Sequence, residues 1–484
     1  MQPMGMARRN WLGIIKGLWV RSGVFYNSRL WGRRFSRILS VQRQTIALQC
    51  GLVNSGTVEF VPSRFLPSKA PKMGLHSSVE IMGNPKFSSI PEAVEQIKRG
   101  GVVIVLDDED RENEGDFICA AELATPEVIN FVLSGRGDFC MPVLAETARR
   151  LELVPIVDRN TTKMETAFLT PLDHVSAKTG ITAAERAFCV RAISDPATKP
   201  DDFVRPGHVH LLLAREGGVL RRAGHTEAAV DLCRMAGLRP AGVICEVLDD
   251  DGNRATRDRL MEIAAQHKLP IITIEELIAY RRVSEKLVSQ VASARLPTKY
   301  GEFRVIAYDV KYESQQPMAI VMGQPEKQKL PPLVRMHSSC FTGDLLSSLR
   351  CDCGDQLHMA LEMISREGHG ALVYLPQEGR GIGLVEKIKA YNLQDQGLDT
   401  VEANMALGYK ADMRDYGVGI QILKDLGLNR IRLLTNNPKK TEAFNLRGFD
   451  LEVVDQVPIL PPINEHNAAY LATKREKLGH RLPE

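Results

Sequence analysis

Two consecutive α+β domains behind a disordered N-terminal leader is the fold class this sequence predicts, and three observations carry it. At 484 residues the chain is long enough for two or three domains, each burying its own core. Strand-length apolar runs alternate with helix-like segments in both halves. Val102 to Leu106 and Val243 to Val247 stand beside Asp258 to Lys268 and Ile274 to Lys286, and Ala371 to Leu375 and Ile431 to Leu434 beside Leu384 to Gln394. The first stretch is of another kind: from Met1 to Val58 there is no Asp or Glu, while arginines recur among Ser, Leu and Trp.

An arginine-rich, acid-free leader has the composition of an organelle import signal, so residues 1–75 are set aside from the fold as an expected transit segment. A plain basic tail is the other reading. The whole chain is 44% apolar and 25% charged with a net charge of +3, which excludes a strongly basic nucleic-acid-binding body. No run of about 18 apolar residues is present, so no membrane-spanning helix is expected. Nine cysteines, mostly single within apolar segments, point to a reducing compartment rather than a disulfide framework.

The first domain is expected over residues 86–283. Ile90-Pro91 followed by Glu92 to Arg99 reads as a short helix stopped by Gly100-Gly101. Val102 to Leu106 then delivers the chain into DDEDRENEGD, Asp107 to Asp116, where seven of ten residues are acidic. Such a run is either a solvated loop or a site. Carboxylates at a buried strand's end, with Arg111 beside Glu112 and Gly115 closing the turn, suit a sugar phosphate and a magnesium or manganese ion. Downstream, His208 and His225 each follow a glycine, which is more often structural than functional. The loop Arg222, Ala223, Gly224, His225, Thr226 is stronger, because it offers a cation, an open backbone N–H, a hydroxyl and an imidazole, the parts of a phosphate cradle. Glu246 stands inside an apolar strand, where a carboxylate is costly without a partner or a task.

In this order, DDEDRENEGD, RPGH, RAGHTEA and GVICE resemble 3,4-dihydroxy-2-butanone-4-phosphate synthase over about Ser88 to Arg282. The resemblance implies magnesium or manganese on Glu112 and His225. It implies D-ribulose 5-phosphate bound by Arg111, Glu112, Asp116, Arg222, Ala223, Gly224, His225, Thr226 and Glu246, with His208 and Glu246 catalytic. The implied chemistry is proton abstraction, skeletal rearrangement and loss of C4 as formate. The chain departs from the family's pattern at His210 (GHVHLL for GHIFPL), at Pro171, and at Asp138 and Pro142 in a normally apolar strand. Pro171 removes a ladder donor and predicts an edge strand or a break.

Leu296-Pro297-Thr298-Lys299-Tyr300-Gly301 reads as the boundary, and the second domain is expected over residues 294–484 with strands at Phe303 to Val310 and Met318 to Met322. Its centre is VRMHSSCFTGDLLSSLRCDCGDQL, Val334 to Leu357, where Cys340, Cys351 and Cys353 stand among His337, Asp344, Arg350 and Asp352. Three soft ligands with no fourth cysteine nearby suit zinc with one coordination position open. Further on, three glycines surround Glu378 and Arg380 and let backbone approach a ligand closely. Strand Ile431 to Leu434 enters TNNPKK, a polar turn with two lysines fit for phosphate.

HSSCFTGD, RCDCG, QEGRGIGL, AYNLQDQG, DTVEAN and LLTNNPKK resemble GTP cyclohydrolase II across about Leu296 to His480, and the domain order resembles the bifunctional riboflavin-biosynthesis proteins of plants and bacteria. The resemblance implies zinc on Cys340, Cys351 and Cys353. It implies GTP bound by Arg335, Met336, His337, Ser338, Ser339, Gln356, Glu378, Gly379, Arg380, Thr400, Thr435 and Lys440. Asp412 is implied as general base, Arg414 as the residue acting on the α-phosphate, and Tyr391 as important for turnover. An always-protonated guanidinium is physically better suited to clamp phosphate than to attack it. The implied reaction opens the guanine ring at C8, releasing formate and pyrophosphate.

Both resemblances imply α+β domains, a homodimer acting on GTP and D-ribulose 5-phosphate, and no nucleic-acid or membrane partner. The plant-type arrangement makes the plastid the expected destination, with the mitochondrion as the alternative. At Ser339 the family has Glu, so a carboxylate beside a zinc ligand is missing and a weakened cyclohydrolase is expected. Two other functions stay open on sequence alone: a descendant keeping one activity, the cyclohydrolase, or a non-catalytic partner of an active paralogue.

Overall fold

The computed structural model describes residues 87–314, 316–437 and 450–481; the leader 1–75 and Lys440 lie outside them. The described chain forms two mixed seven-stranded sheets, one after the other, each covered by helices on both faces. Two consecutive α+β domains are therefore what the sequence builds.

The first sheet is made of β1 (Val103–Leu106), β2 (Gly115–Ala120), β3 (Cys140–Val143), β4 (Phe168–His174), β5 (Phe203–Leu213), β6 (Gly242–Glu246) and β7 (Ile271–Thr273). Their spatial order is β4-β5-β3-β6-β2-β1-β7. Side chains alternate between faces, as the two-residue strand period requires. Ile104, Phe117, Met141 and Val243 pack on helices Pro126–Val132, Ala183–Ser194 and Arg257–His267. Val103, Ile118, Cys140, Leu212 and Ile244 face helices Ile90–Lys98, His225–Met235 and Ile274–Ser284. The first of these helices starts on a capping box, Ser89 with Glu92, which satisfies two of its orphan donors. Pro171 lies on β4 at the sheet edge, and the β4–β5 register shifts between Leu169 and Leu172, so its missing donor leaves no gap inside the ladder.

The second sheet comprises β8 (Val288–Thr298), β9 (Gly301–Val310), β10 (Met318–Met322), β11 (Leu333–Ser338), β12 (Gly370–Leu375), β13 (Arg430–Leu434) and β14 (Glu452–Val457), in the order β14-β13-β11-β12-β10-β9-β8. One face packs on helix Gly417–Asp425, the other on helix Cys353–Glu367. The Pro–Gly signal at Leu296 to Gly301 is not a domain boundary. It is the tip of the β8–β9 hairpin, with Thr298 paired to Gly301, and its sheet already begins at Val288, ahead of the expected start at 294. Helix Ile274–Ser284 leads straight into β8, and Gln421 holds the junction by accepting from Leu287 N at 2.8 Å and donating to Glu285 O at 2.9 Å.

Candidate active sites

Strand alternation gathers the acidic centre on one face of the first sheet. Asp107 continues the Val103–Val105 side of β1, Asp116 lies on the Ile118 side of β2, and Glu246 on the Ile244 side of β6, its register partner being Asp116. Helix His225–Met235 covers this face, with Gly224 as its N-cap residue, and so aims His225 and its free N–H groups at the acids. Carboxylate oxygens of Asp107 and Glu112 and a ring nitrogen of His225 lie within 4.8 Å of one another. Arg111 binds Asp107 at 2.9 Å and also pairs with Glu112. A Cβ on Gly224 would stand 2.4 Å from Arg222 Nη1 and 2.9 Å from Arg111 Nη2, so two guanidiniums converge on this helix start. Two guanidiniums beside a helix N-terminus are chemistry able to hold an anion.

Charge in this centre is unbalanced. Burial first, and then Glu246, Glu114, Glu112 and Asp107, push the Asp116 carboxyl well above the usual range. Burial likewise raises Glu246, and Glu114 is pushed up to about 6 by burial and the charge of Glu112. Burial holds His225 low, which keeps its imidazole neutral and able to ligate. Asp116 Oδ1 is buried without a hydrogen bond. Hard oxygens, one neutral imidazole and an orphaned carboxylate oxygen fit a divalent cation together with a sugar hydroxyl.

His208 sits on β5, its Nδ1 2.6 Å from Asp173 Oδ2 and its backbone N 3.0 Å from Asp173 Oδ1. This close seat requires Gly207, where a Cβ would fall 2.0 Å from the Leu172 carbonyl carbon. Asp173 went unnoticed in the sequence, although its place in a strand neighbouring the histidine was the available signal. Asp107, which the other six acids of its run mask in the sequence, also stands where it could ligate.

The second centre lies where β11 and β12 end. Thiols of Cys340, Cys351 and Cys353 lie within 4.8 Å of one another, and the Cys340 and Cys351 sulfurs are 3.7 Å apart. Gly343 makes the room: a Cβ there would stand 3.0 Å from Cys351 Sγ and 3.1 Å from Cys340 Sγ. Hydrogen bonds from Cys351 and Cys353, and then Lys387, pull the Cys340 thiol far down. Sharing with Cys340 holds Cys351 up at about 11, and sharing with both partners pushes Cys353 up as well. Three soft sulfurs converging beside the Lys387 ammonium form a set that fits zinc.

Around it opens a cleft of about 1070 Å³, mouth included, lined by Arg335, His337, Ser338, Ser339, Gln356, Glu378, Gly379, Arg380, Tyr391, Thr400, Arg414 and Thr435 among others. Arg335 donates to Leu434 O at 2.8 Å and to Gln356 Oε1. Asp344 fixes the entry, accepting from Cys340 N at 3.0 Å and lying 3.1 Å from His337 Nε2. Asp412 and Arg414 are bound to each other, Nε to Oδ1 at 2.8 Å. Tyr391 Oη lies 3.1 Å from Thr342 Oγ1 beside the thiols.

Met336 differs from its neighbours on β11. The strand period turns its side chain to the opposite face, under Gly419 in the core, and leaves only its backbone for the cleft. Three cleft residues were missed. Lys387 Nζ binds Cys340 Sγ at 3.1 Å and Glu378 Oε1 at 2.7 Å; its four-residue spacing to Tyr391 was a usable signal. Lys474 binds the buried Asp352 at 2.6 Å and Tyr470 lines the cleft, both from helix Ala468–Leu478, which nothing local tied to the cysteines.

Two domains, each carrying its own cluster of metal-ligating side chains, define an enzyme with two separate centres. Comparison with known proteins makes this specific. The family model of 3,4-dihydroxy-2-butanone 4-phosphate synthase matches residues 91–280 and that of GTP cyclohydrolase II residues 289–458. Riboflavin biosynthesis protein RibBA of Bacillus mycoides (strain KBAB4) is 55% identical over 397 residues, 82% of this chain and 99% of that protein. RibBA of Bacillus cereus (strain ATCC 14579) is also 55% identical, with the same coverage. Among solved structures, RibBX of A. baumannii, a two domain 3,4-dihydroxy-2-butanone 4-phosphate synthase, superposes with a TM-score of 0.60 at 37% identity, covering 76% of this chain and 99% of that one. The chain belongs to the bifunctional riboflavin biosynthesis family, an enzyme that joins the synthase to the cyclohydrolase.

Proposed function

We propose that the two centres work as the two family reactions on their own substrates. In the first domain, Arg111, Arg222 and the start of helix His225–Met235 hold the phosphate of D-ribulose 5-phosphate. Asp116 and Glu246 face its hydroxyls, and Glu246 and His208, the latter oriented by Asp173, move protons. Asp107, Glu112 and His225 would hold magnesium or manganese, which when bound supplies charge stabilisation for an enediolate. Asp116 and Glu246 support this reading, since burial raises both carboxyls and makes them hold a proton more readily than an ordinary carboxylate.

In the second domain, Cys340, Cys351 and Cys353 would hold zinc, which when bound supplies a Lewis acid and an activated water at the purine. Arg335 and Gln356 orient the base, Arg380, Arg414, Thr435 and Lys440 take the triphosphate, and Asp412 receives a proton. Because Arg414 is held above the ordinary arginine range, with Tyr416 and Asp412 beside it, it serves as a clamp on phosphate. Lys387 balances the Cys340 thiolate and positions Glu378. The observation that carries the reading is the converging trio of thiols at the cleft floor.

The finer claims extend to assembly and location. Exposed Leu345, Leu346 and Leu349 beside the cysteines, and Val154, Ile156 and Val157 in the first domain, support burial in a homodimer. The composition of residues 1–75 supports import into a plastid; a fusion of this segment to a fluorescent reporter that stayed cytosolic would remove that claim. The central experiment measures formate from GTP and from D-ribulose 5-phosphate separately, with zinc and magnesium supplied. Both substrates are expected to yield formate; silence from both would leave only a non-catalytic role.

A further inference from the structure

The face of the first sheet that carries the acidic centre holds another group of ligand atoms, which none of the roles above employs. Cys140 and His210 are register partners on the parallel strands β3 and β5, so their side chains stand together on that face. Asp138 precedes Cys140 by two residues and projects to the same side. One carboxylate oxygen, the Cys140 sulfur and a His210 ring nitrogen all lie within 4.8 Å of one another. His210 Nδ1 is 2.9 Å from Asp138 Oδ1 and 3.0 Å from Asp138 Oδ2, and Cys140 Sγ donates to Asp138 Oδ2 at 3.6 Å.

The Asp138 oxygens stand 2.9–3.6 Å from the other two ligand atoms. Zinc bonds of about 2.0–2.3 Å in a tetrahedron put ligand atoms roughly 3.3–3.7 Å apart, a comparable spacing. One thiol, one imidazole and one carboxylate form a borderline-soft set that favours zinc over magnesium, an ion of oxygen ligands. Access is open, because the Asp138 and His210 side chains are 47% and 42% exposed while Cys140 is buried beneath them. The group is also coupled to the synthase chemistry: Asp138 N donates to Glu246 Oε2 at 2.7 Å.

We propose that Asp138, Cys140 and His210 form a zinc site on the wall of the synthase centre, separate from the Asp107–Glu112–His225 trio and from the thiols of the second domain. Zinc drawn to Asp138 displaces the backbone that anchors Glu246, so occupancy lowers formate release from D-ribulose 5-phosphate and leaves GTP turnover unchanged.

The test uses full-length protein saturated with zinc, freed of excess by gel filtration and assayed for metal. The unaltered chain is expected to carry about one equivalent more than His210→Phe or Cys140→Ser, whatever the content of the second domain. Cys351→Ser examines the other centre by itself, so failure of that reading does not touch this one. In cobalt-loaded protein carrying Cys340→Ser, Cys351→Ser and Cys353→Ser together, a thiolate-to-cobalt absorption is expected that the added His210→Phe change removes. GTP turnover of His210→Phe, expected unchanged, confirms that this variant is folded. Equal zinc in the unaltered, His210→Phe and Cys140→Ser proteins overturns the proposal, as does a cobalt spectrum indifferent to His210.

Discussion

The two centres each gather side chains able to ligate a metal beside a phosphorylated substrate, with opposite charge arrangements. The synthase centre crowds Asp107, Glu112, Glu114, Asp116 and Glu246 together, and their mutual repulsion adds to burial in raising Asp116 and Glu114. The cyclohydrolase centre brings its own cation: Lys387 lies against Cys340 and Glu378, and Lys474 holds the buried Asp352 below its ordinary value although burial works to raise it. The first centre therefore carries crowded acids whose repulsion a bound cation would relieve, while the second already holds cations beside its anions. Loss of metal should cost the synthase domain local stability and the cyclohydrolase mainly its chemistry.

The largest expected effect is on chemistry in the second centre. Cys351→Ser should lower formate release from GTP by more than about 10³-fold, the scale on which a lost Lewis acid is felt, and leave the ribulose 5-phosphate reaction intact. Glu112→Gln should do the converse, with a loss of about 10²-fold or more in the synthase reaction alone. Parallel losses in both assays would contradict two independent centres.

How far each centre was legible in the sequence follows from the same contrast. The cysteines were plain because CDC in a polar setting has no core explanation, and the acidic run because seven carboxylates in ten residues cannot be buried without purpose. What stayed hidden depends on pairing between distant strands or helices. The His208–Asp173 contact spans 35 positions and the Lys474–Asp352 contact spans 122, and no local period reports either. Asp138 and His210 were read singly, as departures from an apolar pattern; only the β3–β5 register shows them to be one complementary pair. Within the run Arg335 to Ser339, alternation along the strand sends the Met336 side chain into the core, which a run of adjacent positions does not report. The hairpin at Thr298 carries the same signal as a domain boundary because Pro and Gly punctuate turns and linkers alike.

Ser339 offers a gain-of-function test. It lines the cleft next to Cys340, and Ser339→Glu restores a carboxylate beside the metal ligands; GTP turnover should rise by up to about tenfold, the lower end of what such neighbours contribute. A fall would mean that the cleft has adapted to the smaller side chain. The charge contrast itself is tested by Asp116→Asn with chelator present. A carboxyl raised in the folded state binds its proton more tightly there than in the unfolded chain, so its stabilising share is full below the unfolded value near about 4 and is lost as pH rises through the folded one. Asn, which never ionises, should therefore raise Tm by about 2–4 °C at alkaline pH and make little difference under acid conditions. Saturating magnesium should shrink the gain, because the ion relieves the same repulsion.

The smallest effect concerns whether the centres are independent. Lys410 lies on the loop that also carries Asp412 and Arg414, and it reaches across to the acidic loop of the first domain, 2.9 Å from Asp108 and 3.3 Å from Asp110. A loop from each centre thus shares one cation. All three side chains are more than half exposed, and pairs of that kind contribute about 0.2–1 kcal/mol, screened further by salt. Lys410→Ala should accordingly change either turnover by less than about fivefold, and the change should shrink as ionic strength rises. The discriminating measurement is the formate yield from one substrate while the other is held saturating. If the bridge is merely a surface contact, GTP leaves the ribulose 5-phosphate reaction unaltered in both proteins. If it links the loops, GTP alters the synthase rate in the unaltered chain and no longer does so in Lys410→Ala, and the picture of two separate centres gives way to a coupled pair.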